Sequence, residues 1–256
     1  MNTKDIKTLI SSFKKKNKFH DDDFARENVL SDETPFSVKE SYKMMRTNII
    51  FSVSGKSESG CKLVALTSAN AGEGKTTTTV NLAIAFAQTG SRVLAIDCDM
   101  RKPRLHRYLQ AKRVPGLSTL ISKQVSVDEA ITKNVRPGLD VITAGEIPPN
   151  PAELLSSERM KEIIDELSQH YDYIFFDTPP VTVVTDAAAL SQFVDGIIVV
   201  VRQNYTNHES VAAAVKTLDI ARAKVLGFIV NDASRRIRYN NGYDSFIGDY
   251  ENEIKE

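Results

Sequence analysis

Ala69-Asn-Ala-Gly-Glu-Gly-Lys-Thr76 places two glycines, an ammonium group and a hydroxyl within eight residues. That set suits a phosphate. Gly72 and Gly74 allow backbone geometry that a side chain blocks, so successive N–H groups can line one concave nest. A helix starting here adds partial positive charge. Lys75 adds a full charge near the β- and γ-phosphates of a nucleotide, and the Thr76 hydroxyl is a ligand for Mg²⁺. Ala71, Glu73 and Thr77 complete the candidate nucleotide-contacting stretch. Ala69 stands where this Walker A loop usually has glycine.

Two carboxylate motifs follow. In Ile96-Asp-Cys-Asp-Met-Arg-Lys-Pro103, Asp97 and Asp99 are two residues apart. An extended chain turns both toward one pocket. Carboxylates that close repel unless a cation lies beside them, and a bound Mg²⁺ supplies one. Asp97 could contact a metal-bound or attacking water, or accept a proton from an incoming hydroxyl. Arg101 and Lys102 follow at once and can face phosphate oxygens. Tyr173-Ile-Phe-Phe-Asp177 is an apolar run ending in one acid, the Walker B pattern, with Asp177 expected to hold Mg²⁺ through water. Asn231 closes the last apolar run and is a candidate reader of an adenine edge.

These residues need strands that end at one place. Residues 63–67, 92–97, 139–143, 173–177, 196–201 and 224–231 read as strands. Residues 76–88, 157–170, 185–193 and 208–221 read as the helices between them. Gly90 is a natural stop for the first of these. Apolar strands alternating with helices predict an α/β fold: a parallel twisted sheet flanked by helices on both faces. Ligands in such sheets bind at the carboxyl ends of the strands, where the motifs sit. Ahead of the core, residues 37–51 carry Val38, Tyr42, Met45 and Ile49 at helical spacing, and Ser37 with Glu40 predicts a capping box. The domain boundaries are then a polar arm over 1–35, a P-loop domain over 36–234, and a flexible tail over 235–256. The arm opens with six lysines against Asp5 in residues 1–20 and continues with seven acids in residues 21–40.

Composition narrows the function. Lys+Arg and Asp+Glu are both 33 in 256 residues, so no general nucleic-acid-binding surface is expected. Two cysteines make no disulfide framework, and the four histidines lack zinc-ligand spacing. The longest apolar runs fall far short of the ~20 residues that cross a bilayer. No apolar block follows the N-terminal lysines, so no signal peptide is expected. The expectation is a cytoplasmic protein that reaches a membrane only through a partner or a surface patch.

The three motifs together resemble those of the bacterial tyrosine kinases of capsule and exopolysaccharide loci. The likeness runs from about Phe36 to the C-terminus. It is carried by Thr67-Ser-Ala-Asn-Ala-Gly-Glu-Gly-Lys-Thr76, by Asp97-Cys-Asp-Met-Arg-Lys-Pro103 and by Phe175-Phe-Asp-Thr-Pro-Pro-Val181. The family often has proline where Ala71 stands. The resemblance implies an ATP- and Mg²⁺-dependent autokinase in which Lys75 and Thr76 hold phosphate and metal. It makes Asp97 the general base and Asp99 and Asp177 metal-organising carboxylates. It implies ring-like self-association through Glu40-Ser-Tyr-Lys-Met-Met-Arg46, where Lys43 replaces the family's first arginine and so loses the planar fork. It implies phosphoacceptors in the tail, where Tyr239, Tyr243 and Tyr250 cluster among Asn240, Asn241, Gly242 and Gly248. A tethered acceptor gains effective concentration near a neighbour's site. Split members of the family work with a transmembrane polysaccharide co-polymerase as activator, and a tyrosine phosphatase resets the tail. The chain is thus expected at the inner face of the membrane through that partner.

Two other readings share this core. A MinD/ParA-like switch ATPase hydrolyses nucleotide with water, but its extra loop lysine would align with Asn70. A nucleotide-binding scaffold would only assemble an export complex. The tail tyrosines favour the kinase over both.

Overall fold

The computed structural model describes residues 25, 27–53 and 60–233. Helix α1 (Phe36–Val53) precedes the sheet. Then follow β1 (Lys62–Ser68), α2 (Lys75–Ala87), β2 (Val93–Asp97), and three short helices: α3 (Leu105–Tyr108), α4 (Leu117–Ile121) and α5 (Val127–Ala130). Next come β3 (Ile131–Arg136), β4 (Leu139–Ile142), α6 (Pro151–Leu155), α7 (Glu158–Leu167) and β5 (Tyr173–Asp177). The chain continues with α8 (Asp186–Leu190), β6 (Gly196–Arg202), α9 (His208–Ile220) and β7 (Val225–Asn231).

The seven strands form one sheet in the order β3-β4-β2-β5-β1-β6-β7. All neighbours pair in parallel except β3, an added edge strand that runs antiparallel to β4. Strand β3 escapes sequence reading because Ile131-Thr-Lys-Asn-Val-Arg136 covers one edge and has no apolar run. Helices α3, α4 and α5 escape it because four or five residues carry no helical period. Pro151, the last residue of Ile147-Pro-Pro-Asn-Pro151, starts α6 in its first helical turn.

Alternation along the strands builds two apolar layers. Val64, Leu66, Val93, Ala95, Phe175, Ile198 and Val200 meet α2 on one face. Ala65, Leu94, Ile96, Ile174, Phe176, Ile197 and Val199 meet α7 and α9 on the other. Met160, Ile163, Ile164 and Leu167 form the stripe with which α7 packs. Its first turn is capped by Ser157, whose hydroxyl oxygen accepts the Met160 N–H at 3.2 Å. Nearly all of α2 is buried, so this helix runs through the interior. Its position is fixed by packing on both sides, and the loop at its N-terminus inherits that rigidity.

Helix α1 lies on α2. Tyr42, Met45, Ile49 and Val53 face inward, while Val38 is 40% exposed. The expected capping box does not form. The helix starts at Phe36, Ser37 sits inside its first turn, and Glu40 pairs with Lys43 at 2.6 Å. Asn81, within α2, gathers the preceding chain. Its Nδ2 donates to the Asn28 carbonyl at 2.9 Å and to the Tyr42 hydroxyl at 3.2 Å, and its Oδ1 accepts from Leu30 N–H at 2.8 Å. Ala25, Val29 and Leu30 are buried in the same layer. The folded body therefore begins before residue 36.

Candidate active site

The phosphate loop connects β1 to α2. Gly72 (φ 82°) and Gly74 (φ 88°) both take the left-handed conformation that favours glycine. Gly74 has a second reason. A Cβ there would stand 2.0 Å from Asn231 Nδ2, the side chain that closes over the loop from the tip of β7.

Lys75 begins α2, and its Nζ lies 3.0 Å from Asp99 Oδ2. The neighbouring Thr76 hydroxyl donates to Asp177 Oδ2 at 2.6 Å. Thr79, one turn on, reaches Asp177 Oδ1 at 3.5 Å. Asp97 and Asp177 end adjacent strands in direct register. So Lys75, Thr76, Asp97, Asp99 and Asp177 converge as expected from two strand tips and one helix start.

The three carboxylates differ in environment. Asp97 is fully buried; its Oδ1 accepts the Asp99 N–H at 3.1 Å, and its Oδ2 those of Arg104 and Leu105 at 3.2 and 3.0 Å. Burial pushes its carboxyl well above the usual range, the charge of Asp177 adds to this, and the Leu105 N–H opposes it. Burial also raises Asp177, against the pull of the Lys75 charge and the Thr76 hydroxyl. For Lys75, burial works against the charge, but Asp177 and Asp99 outweigh it and hold the pKa above its ordinary value. Asp99 carries the ion pair, and its Oδ1 accepts the Lys102 N–H at 3.0 Å.

Three carboxylates against one ammonium leave negative charge that suits a divalent cation. Among the described residues, no group of three or more His, Cys, Asp or Glu side chains could hold a metal. The fit is that of an ion held mostly by water and nucleotide phosphates, with the Thr76 hydroxyl and Asp177 as the protein's share.

The other candidates divide. Asn231 reaches the loop, but its amide donates to the Glu73 carbonyl at 3.0 Å, leaving Oδ1 for any base. The Glu73 side chain is fully buried and turned to protein. Its Oε2 accepts the Asn70 N–H at 2.9 Å, and its Oε1 accepts Asn70 Nδ2 at 3.1 Å and the Thr206 hydroxyl at 2.6 Å. Only its backbone can serve a phosphate. Ala71 offers its carbonyl to the Tyr205 hydroxyl at 3.0 Å. Thr77 bonds the Tyr108 hydroxyl at 2.9 Å. Arg101, expected to face phosphate, closes its fork on buried Asp186 with two contacts of 3.0 Å. Arg46, expected at a subunit contact, donates to the Ala85 carbonyl of α2 at 2.6 Å. Tyr239, Tyr243 and Tyr250 lie outside the described residues.

Comparison with known proteins gives this geometry a family. The AAA domain description matches residues 61–228. Tyrosine-protein kinase YwqD of Bacillus subtilis (strain 168) is 41% identical over 217 residues, which span 84% of this chain and 90% of that protein. The chain belongs to the bacterial tyrosine-protein kinases. Tyrosine-protein kinase wzc of Salmonella typhi is 33% identical over 216 residues, 84% of this chain but 30% of that longer protein. The crystal structure of the chimerical protein CapA2B2 superposes with a TM-score of 0.73 at 34% identity, covering 79% of this chain and 87% of that one. The chain is thus a protein-tyrosine kinase on a P-loop sheet flanked by helices. The switch-ATPase reading is less supported, and the side chain of Asn70, where that reading needs a lysine, is spent on Glu73.

Sequence reading missed what holds the kinase's loop from outside. The turn after β6 carries Tyr205 and Thr206 onto Ala71 and Glu73, while the Thr206 oxygen accepts the Arg202 N–H at 2.8 Å. One signal was available: an acid inside a phosphate loop needs a partner that takes it out of the phosphate's way. Thr206→Val removes one of the three donors to the Glu73 carboxylate and is expected to cost about 1.5–3 kcal/mol of stability, the range for a hydrogen bond to a charged group. Nucleotide affinity is expected to fall with it. Thermal melting and nucleotide titration both unchanged would remove Thr206 from the site.

Proposed function

We propose that this kinase transfers the γ-phosphoryl group of Mg²⁺–ATP to Tyr239, Tyr243 and Tyr250 of neighbouring copies and thereby regulates capsular or exopolysaccharide synthesis and export. One observation carries the reading: the Lys75 ammonium, the Thr76 hydroxyl and the carboxylates of Asp99 and Asp177 share one corner at contacts of 2.6 to 3.0 Å. Phosphoryl transfer needs little beyond positioning and neutralised charge.

In this reading the loop N–H groups cradle the phosphates, and Lys75 leaves Asp99 to meet the β- and γ-oxygens. Thr76 and Asp177 would hold Mg²⁺, with Asp99 placed to organise its water, and the ion would supply positive charge against that of the phosphates. Asp97 is the proposed general base. It would take the proton from a tyrosine hydroxyl of pKa about 10. To reach that hydroxyl it gives up one of its backbone contacts. Asn231 Oδ1 is the proposed contact to the adenine amino group.

A membrane-spanning activator subunit is proposed as the partner; among the described residues no helix is long and apolar enough to cross a membrane. The longer Salmonella relative also carries much chain beyond the matched part. The kinase would then sit at the inner membrane face through that partner, with a phosphatase resetting the tail.

The deciding experiment is phosphopeptide mapping after incubation with Mg²⁺–ATP. Phosphate on the tail tyrosines supports the reading; a tail without phosphate, beside ATP hydrolysis, refutes it in favour of the switch ATPase.

Ring-like self-association is proposed through the exposed part of α1. Glu40 and Lys43 pair on its outer side with side-chain exposures of 40% and 51%. Arg46 is tied within its own chain, so a change there tests helix docking as well as assembly. Glu40→Ala with Lys43→Ala is expected to shift the assembly toward monomer by light scattering, with unaltered melting. A persistent large oligomer would exclude this face.

A further inference from the structure

We infer that Tyr205 is a phosphoacceptor whose modification shuts the nucleotide site, an inference that rests on the kinase reading above. Five of the eight tyrosines are described, and they differ sharply in access. Tyr108 and Tyr171 are buried, with hydroxyls on Thr77 and Asp140. Tyr42 is half-buried and receives the Asn81 amide. Tyr173, also half-buried, packs 4.4 Å from Phe86 between ring centroids. Tyr205 alone among the described tyrosines is exposed, at 55%. It sits in the turn between β6 and α9, and its neighbour Asn204 has φ 58°.

The place matters as much as the access. The Tyr205 hydroxyl donates to the Ala71 carbonyl and lies 3.8 Å from where a Cβ of Gly72 would be. It is thus a strap fastened to the rim of the phosphate loop. Transfer breaks the bond from the ATP γ-phosphorus to the ADP oxygen, forms one to Tyr205 Oη, and releases the phenolic proton. The product loses its donor and sets a charge of about −2 against a carbonyl oxygen. Arg202 lies 5.6 Å above the Tyr205 ring, but its Nε and Nη2 are bonded to Asp232 at 3.0 and 2.8 Å. The buried Glu73 carboxylate, held by the adjacent Thr206, repels the new charge further. The strap must lift, and incoming ATP phosphates meet a like charge at the rim. The known chemistry of the chain therefore yields a product that opposes its own substrate.

The test has two arms. Purified full-length protein is incubated with Mg²⁺–ATP and mapped by mass spectrometry, with Lys75→Met and Tyr205→Phe as controls. A phosphopeptide at Tyr205, absent from both controls, is expected. Phosphate on the tail but not on Tyr205 overturns the inference and leaves the kinase reading standing, whereas phosphate on no tyrosine overturns both. In the second arm, the chain carrying 4-phosphonomethyl-phenylalanine at position 205 is titrated with a fluorescent ATP analogue. Its affinity is expected to be at least about tenfold weaker than that of the unmodified chain, as repulsion between nearby anions implies. Tyr205→Phe, which loses the hydrogen bond without gaining charge, is expected to lose about threefold at most. Equal affinities for the phosphono and phenylalanine chains would overturn the gating role.

Discussion

Lys75→Met is expected to lower tyrosine phosphorylation about a thousandfold, the order seen when one preorganised charge is withdrawn from a transition state. The side chain begins α2 with its Nζ on Asp99, and Asp177 and Asp97 both raise its proton affinity. It is therefore the cation of a corner that otherwise holds carboxylates. Methionine keeps much of the volume and none of the charge. The folded state loses the partner of Asp99 as well, and breaking a largely buried pair costs about 3 kcal/mol. Circular dichroism must accompany the assay, because a melted variant would be silent for the wrong reason. A folded Lys75→Met protein that labels its tyrosines at the wild-type rate would place the chemistry elsewhere.

Asp177→Asn separates catalysis from folding. Burial disfavours the Asp177 carboxylate, and its pKa is raised despite Lys75 and Thr76. The charged group is thus a burden on the metal-free fold, and an amide relieves it. The metal-free variant is expected to melt above the parent. The same change removes an anchor for Mg²⁺. Phosphorylation is expected to fall by about two to three orders of magnitude, and the stabilisation by Mg²⁺–ATP to shrink. The pattern is diagnostic in combination: greater intrinsic stability, less response to ligand and little activity. A variant that keeps both turnover and the Mg²⁺–ATP shift would show that Asp177 is a buried strand end and no metal residue.

The convergence of these groups was readable because each motif carries its own position. A loop that follows a strand and opens a helix, and acids that end apolar strands, must meet at one edge of a parallel sheet. What escaped reading depends on contacts between distant segments. Arg101 looks free for phosphate until Asp186, 85 positions on, is brought beside it. Arg46 looks like a surface charge until α1 lies on the α2 carbonyl of Ala85. The Thr206–Glu73 contact joins residues 133 apart, and no local period points to it. Strand β3 went unseen for another reason: an edge strand with one covered side needs few apolar residues.

Asn81 sets a limit on how the protein can be shortened. A fragment cut to begin at Phe36, where motif reading places the domain, would strip away the carbonyl of Asn28 and the amide of Leu30 together. The carboxamide would keep Tyr42 alone and face a newly opened seam beneath α1. Truncated forms for crystallography or screening should therefore start upstream of Ala25, or they will report on a loosened version of the enzyme.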